Sequence, residues 1–234
     1  MILRRLPDSR FSEVLPAWKG ETVAILGGGP SLTAEQVELV RLSGVKCIAV
    51  NNSYLLAPWA DLLYFADSHW HEWNTKGIDI PGLGLKAAQV CAMFASFAGQ
   101  KCSIQNSGAN IKDDAVHMMR NINGVGKHGF GLSVDPGALV TGRNGGFQAL
   151  NIAVLAGATQ PLLLGFDGRP NRDGKTHFFG EHPRPTPQAA YPLYRQAMSE
   201  AERALKAAGV TVLNCTPDSC IDAFPNVALE VVLP

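Results

Sequence analysis

Val23-Ala24-Ile25-Leu26-Gly27-Gly28-Gly29-Pro30-Ser31-Leu32 is an apolar run that stops dead at consecutive glycines and then gives way to helix-forming residues. A short β-branched run is the size of a buried strand. Glycines allow a backbone to approach an anion closely, and a helix that follows directs unpaired N–H groups and the positive end of its dipole at it. Strand, glycine turn and helix in that order predict an α/β domain that holds a nucleotide at Gly27, Gly28, Gly29, Pro30 and Ser31. Spacing argues against two other phosphate turns. The dinucleotide fingerprint needs Gly or Ala three residues after Gly29, where Leu32 stands, and no Gly-Lys-Ser/Thr closes a phosphate loop.

Working outward, a helix is predicted from about Thr33 to Leu42, with Thr33 as N-cap, Gln36 completing a capping box and Gly44 ending it. A second strand, Lys46 to Val50, enters Asn51-Asn52-Ser53, and a third, Leu62 to Ala66, delivers Asp67-Ser68-His69-Trp70-His71. In an open parallel sheet such strand ends share one rim, where ligands sit, so Asn51, Asn52 and Asp67 join the glycines as nucleotide-binding candidates. Downstream, Asn144-Gly145-Gly146 precedes a helix from about Phe147 to Leu155. The buried run Pro161-Leu162-Leu163-Leu164-Gly165-Phe166-Asp167 follows, then a polar loop to Pro187, a long helix from Tyr191 to Ala208, a strand from Val210 to Asn214 and a tail strand near 229–233. Asn144, Gly145, Gly146 and Asp167 complete the predicted rim. The fold class expected is α/β, a Rossmann-like, mostly parallel sheet with helices on both faces and an inserted lid-like segment. One domain spans 1–234, with residues 1–21 as an N-terminal arm and about 75–140 as an irregular insertion or lid. In the arm, Phe11, Val14, Leu15 and Trp18 are spaced for one short amphipathic turn.

At 234 residues and 46% apolar content the chain can bury a substantial core. Twenty basic residues balance twenty acidic ones, so charge offers no argument for general nucleic-acid or membrane binding. No apolar run reaches a membrane span and the start lacks a signal-like apolar segment, which reads as cytoplasmic. Five cysteines without Cys-x-x-Cys spacing read as reduced, structural thiols.

A nucleotide-activated donor needs an anion cradle, a cation to balance the leaving phosphate and a base for the acceptor hydroxyl. The glycine turn supplies the first, Arg143, Arg169, Arg172 or Lys175 the second, and His177 or His182 the third. Histidine suits the base role because its ordinary pKa of ~6.5 leaves it largely neutral yet able to take a proton. A different chemistry is open to Asp67, His69, His71 and Asp167, which would suit a Mg²⁺-dependent, pyrophosphokinase-like enzyme. A catalytically silent nucleotide-binding or interaction protein is the third class. No cofactor is firmly implied, and Mg²⁺ enters only under the alternative. The small-residue helix after Gly146 and the N-terminal arm could each serve a homo-oligomer contact.

Taken in order, Gly-Gly-Gly-Pro-Ser-Leu, Asn51-Asn52, Gly145-Gly146-x-x-Ala-x-x-x-Ala-x-x-x-Gly leading to Leu-Gly-Phe-Asp167, Thr176-His177-Phe178-Phe179-Gly180-Glu181-His182 and a Val-x-Val-x-Asn-Cys strand form a set. That set resembles the lipooligosaccharide sialyltransferase family, with the related motility-associated flagellin glycosyltransferases and 6-hydroxymethylpterin diphosphokinases. The resemblance implies that Gly27, Gly29, Pro30, Ser31 and Asn51 hold the CMP moiety of a CMP-sugar and that Asn144-Gly145-Gly146 cradles its phosphate or ribose. It implies that His182, or His177 in a shifted register, is the general base. The family also uses two tyrosines after its Gly-x-Asp strand to stabilise the departing phosphate. Phe166 to Arg172 contains none here, and Arg169 or Arg172 would take that task.

Overall fold

The computed structural model describes residues 1–105, 111–122, 130–181 and 183–233. Two short antiparallel strands come first, β1 (Leu3–Arg5) and β2 (Ser12–Val14). The glycine-ended run is β3 (Thr22–Leu26), followed by α1 (Ala34–Ser43), β4 (Lys46–Val50), β5 (Leu62–Phe65), α2 (Ser68–Lys76) and α3 (Ala87–Ala95). Three further strands, β6 (Gln100–Ile104), β7 (Val116–Ile122) and β8 (Ala138–Val140), precede α4 (Gly145–Leu155). The chain closes with β9 (Gln160–Leu164), α5 (Ala190–Ala207), β10 (Leu213–Asn214) and the single turn α6 (Leu229–Val232).

Strands β3 to β10 form one eight-stranded sheet in the order β10-β9-β3-β4-β5-β6-β7-β8, with every neighbouring pair parallel. Parallel strands covered on both faces read as continuous apolar runs, and β5 is buried at every residue. One face carries α4 and α5, with Phe147, Leu150, Met198 and Ala201 against Ile25, Ile48 and Leu163. The other carries α1, α2 and α3, with Val37, Val40, Trp70, Val90 and Phe94 against Leu26, Leu63 and Phe65. From β3 the chain winds one way to β8 and then returns through α4 to lay β9 on the opposite flank of β3. Strand order therefore reverses beside the glycine turn, the place where open α/β sheets open a crevice for ligands.

The predicted capping box at α1 is present. Gln36 N–H donates to Thr33 Oγ1 and Thr33 N–H to Gln36 Oε1, each at 3.2 Å, and Gly44 ends the helix at φ 72°.

Three expectations are corrected. Residues 75–140 are not an irregular insertion: their described part supplies α3 and three strands of the sheet. Polar residues hid β6 and β7, and two of those in β6 have a local use. Gln100 accepts from Ile2 and Leu3 and donates back to Leu3, while the Lys101 ammonium lies 5.0 Å over the Phe94 ring. The N-terminal arm is not one short amphipathic turn either, since it forms the β1–β2 hairpin; Leu3, Val14 and Trp18 are buried, and Val14 N–H donates to Pro136 O. The tail near 229–233 is helical at α6, not a strand. Asn214 N–H donates to Pro225 O and Val227 N–H to Asn214 O, so the free side of β10 is already taken by 225–227.

The hairpin seat contains a titratable group. His117 Nδ1 is 2.9 Å from Ser12 Oγ, and its Nε2 accepts from the Gln100 amide at 3.2 Å, an arrangement suited to the neutral ring. Burial, with Arg5 adding to it, holds its pKa below the ordinary value. The unfolded chain therefore binds the proton first, and stability declines as pH falls below ~6.5, levelling off under the depressed folded value. A plot of thermal midpoint against pH should show this slope in the native protein and lose part of it in His117→Gln.

Candidate functional site

At the carboxyl ends of β3, β4 and β9 lies a cleft of about 380 Å³, with Asp67 at its edge. Its floor is two backbone bends pressed together. Gly27 N–H donates to Leu164 O and Gly29 N–H to Gly165 O, so β3 and β9 remain zipped past the end of the sheet. The approach requires glycine: a Cβ on Gly27 would fall 2.5 Å from Gly165 O, and one on Gly29 would fall 1.9 Å from Asp167 Oδ2. Ser31 stands behind the turn, its N–H on Asp167 Oδ1 at 3.2 Å and its hydroxyl on Oδ2 at 2.9 Å. The turn thus departs from the expected amide cradle, because the amides of Gly27, Gly29 and Ser31 are spent inside the protein. Helix α1 begins only at Ala34, beyond the glycines. Among the described residues, the Gly28 amide is the one in this bend without a protein acceptor.

The second bend precedes α4. Gly142 and Arg143 take left-handed backbone at φ 46° and 54°, and a Cβ on Gly142 would strike the Phe147 ring at 2.1 Å. Gln148 braces the turn by donating to Thr141 O at 2.6 Å while accepting from the buried Tyr64 hydroxyl at 2.7 Å. Asn144 is the helix N-cap, its Oδ1 taking the N–H groups of Gly146 and Phe147, which leaves the Gly145 amide at the open end of α4. Gly145 abuts the end of β4, where a Cβ would sit 3.3 Å from Val50, and Gly146 lies under the Phe166 ring. The two bends therefore face one cleft.

Asn51 enters at φ 52°, and Asn52 is oriented from behind, because its Oδ1 accepts from the buried Trp70 indole N–H at 2.7 Å. That bond turns the Asn52 NH₂ away from Trp70. Asn74 and Tyr54 continue the buried network, Asn74 Nδ2 donating to Trp70 O and Tyr54 Oη to Asn74 Oδ1. Asp67 is the N-cap of α2, accepting from His69 N–H at 2.8 Å. His69 Nδ1 lies 3.3 Å from both Asp67 and Arg184, whereas His71 pairs with Asp113 at 3.0 Å and stacks on Phe65. Asp67, His69 and His71 accordingly do not converge on one point. Among the described residues no group of three or more His, Cys, Asp or Glu is placed to hold a metal ion.

The opposite wall comes from the segment after β9. Arg169 donates to Asp218 O at 3.1 Å and lines the cleft, while Arg172 does not. His177 lines it too, with Thr176 Oγ1 at 2.8 Å from Nδ1 and the ring stacked on Phe179 at 4.8 Å. Its loop is seated on both sides. Phe178 N–H donates to Gly28 O, and Gly82 comes so close that a Cβ there would meet Phe179 O at 2.0 Å. His182 lies outside the described residues. Burial lifts the Asp167 carboxyl above its usual range, partly offset by its bonds to Ser31.

The cleft thus gathers Gly27, Gly28, Gly29, Asn51, Asn52, Asp67, Asn144, Gly145, Gly146, Asp167, Arg169 and His177, with Pro30 and Ser31 outside its lining. Sequence reasoning missed Tyr191 and Tyr194 on the first turns of α5, whose rings meet edge-on at 6.0 Å and line the cleft. Burial raises the pKa of both, and among the described residues neither hydroxyl has a protein partner. Their i, i+3 spacing was the available signal, since it puts both on one helix face. Arg184, from the proline-spaced segment 183–187, was missed as well.

No protein-family profile matches the chain, and no curated protein matches its sequence. Among solved structures it is similar to the sialyltransferase CstII from Campylobacter jejuni, determined with a substrate analogue, cytidine-5'-monophosphate. That likeness covers 90% of this chain and 86% of the other at a TM-score of 0.51 and 11% identity. The chain has a sialyltransferase-like fold. No helix among the described residues is long and apolar enough to cross a membrane.

Proposed function

We propose that this protein is a glycosyltransferase-like enzyme that moves a sugar from a nucleotide-activated donor, of the CMP-sugar type, to a hydroxyl acceptor by direct displacement. The observation that carries this reading is the convergence on one cleft of both glycine bends, Arg169, His177 and two tyrosine hydroxyls that have no partner among the described residues. The Gly28 and Gly145 amides and the Asn51 and Asn52 NH₂ groups are among the donors this cleft offers a nucleotide. The acceptor oxygen attacks the anomeric carbon as the bond from that carbon to the phosphate oxygen breaks. His177 takes the acceptor's proton, and the departing nucleotide carries away the bonding pair. Tyr191, Tyr194 and Arg169 offer hydrogen bonds and positive charge where negative charge develops, the most effective form of electrostatic assistance in a site that excludes water. His182 shares the base assignment implied by the resemblance.

The Mg²⁺-dependent reading has less support, because Asp67 Oδ1 already accepts from His69 N–H and both Asp167 oxygens accept from Ser31. A thermal-shift panel of CMP, UDP, GDP, ATP and CMP-sialic acid, with Mg²⁺ or with EDTA, separates the readings. A ligand at a hundred times its Kd stabilises by ~2.7 kcal/mol. Stabilisation by the cytidine ligands that survives EDTA is the expected result. A response only to ATP with Mg²⁺ would favour the pyrophosphokinase-like enzyme, and no response to any nucleotide would overturn the reading. Cytidine binding with no turnover of a CMP-sugar in any acceptor screen would identify a silent binding protein.

A further inference from the structure

We infer that Asp167 is a positioning residue: its carboxylate clamps Ser31 and presses on Gly29, fixing the glycine turn to the β9 bend, and it does not itself grip the ligand. The inference rests on the nucleotide reading of the cleft and gives this carboxylate a different part in it. Both oxygens are committed, Oδ1 to the Ser31 amide at 3.2 Å and Oδ2 to the Ser31 hydroxyl at 2.9 Å. The same Oδ2 occupies the space where a side chain on Gly29 would begin. A carboxylate that takes one residue by both amide and hydroxyl resists rotation, and the missing Cβ lets it lie flat on the turn.

The clamp is mounted on a rigid base. Cys220 N–H donates to Asp167 O at 2.8 Å, Ser219 Oγ to Phe166 O at 2.6 Å and the Arg195 guanidinium to Gly168 O at 2.9 Å. The backbone around Asp167 is therefore tied to the loop after β10 and to α5. Through Ser31 that rigidity reaches Gly28, whose amide is open on one side and whose carbonyl seats the His177 loop on the other. One side chain thus sets the height of the anion-facing amide and of the histidine loop together.

The test compares CMP affinity by titration calorimetry and amide exchange over residues 27–31 by mass spectrometry in Asp167→Ala, Ser31→Ala, the double variant and Asp167→Asn. Asparagine keeps an acceptor for the Ser31 amide and an N–H for the Ser31 hydroxyl, so it preserves the clamp and deletes the charge. The expected result is a loss of about tenfold or more in CMP affinity in each alanine variant, with faster exchange over 27–31. The double variant should lose no more than the worse single one, and Asp167→Asn should stay within about threefold of the native protein. Equal loss in Asp167→Asn and Asp167→Ala would show that the charge contacts the ligand and would overturn the inference. Unchanged exchange in Asp167→Ala would overturn it too. If the native protein binds no CMP, the nucleotide reading fails, while the exchange measurements still decide whether Asp167 holds the turn.

Discussion

Gly29→Ala is expected to abolish nucleotide binding and to lower stability by about 2–3 kcal/mol, while Gly28→Ala leaves stability near the native value. The contrast is a matter of space. The new methyl on Gly29 would lie 1.9 Å from Asp167 Oδ2 and 2.6 Å from Gly165 O, and the second of these is backbone that cannot swing aside. On Gly28 the nearest atom is His177 Cδ2 at 3.4 Å, an ordinary contact. For a chain of this size each kcal/mol moves the thermal midpoint by roughly 2–4 °C, so the two variants should be resolved in one melting experiment. Equal midpoints for Gly28→Ala and Gly29→Ala would contradict the packing of β3 on β9 described above.

The second large effect is on turnover. His177→Gln should lower the transfer rate by about a hundred to ten-thousandfold while leaving nucleotide affinity within a few fold, as loss of a general base predicts. Parallel measurement of His182→Gln assigns the role between the two histidines. If turnover fell with His182→Gln and stood unchanged with His177→Gln, the base would be His182.

Much of the rim was legible because strand ends announce themselves. Apolar runs at Thr22–Leu26, Lys46–Val50 and Gln160–Leu164 each stop at glycine or asparagine, and chain reversal after a run of that size leaves little choice of position. Thr33, Gln36 and Gly44 showed the ends of α1 for an equally local reason. Legibility failed where distant partners pay for local polarity. Gln100 and Lys101 look like surface residues until the Leu3 backbone and the Phe94 ring are placed beside them. Amide roles are hidden for the same reason: that Gly29 N–H points to Gly165 O depends on β9 lying beside β3, a pairing across a long sequence separation. Tyr191 and Tyr194 lie beyond the loop directly after Asp167, and only the folded chain shows that the first turns of α5 come back over the cleft.

The buried indole of Trp70 is bonded to Asn52, a side chain that faces the ligand space. Under the proposed function, a nucleotide that draws on the Asn52 amide is expected to alter the polarity felt by that indole, and a titration followed by intrinsic emission checks it. The protein has four tryptophans, so the change is read against the nucleotide-free native protein, with no label attached.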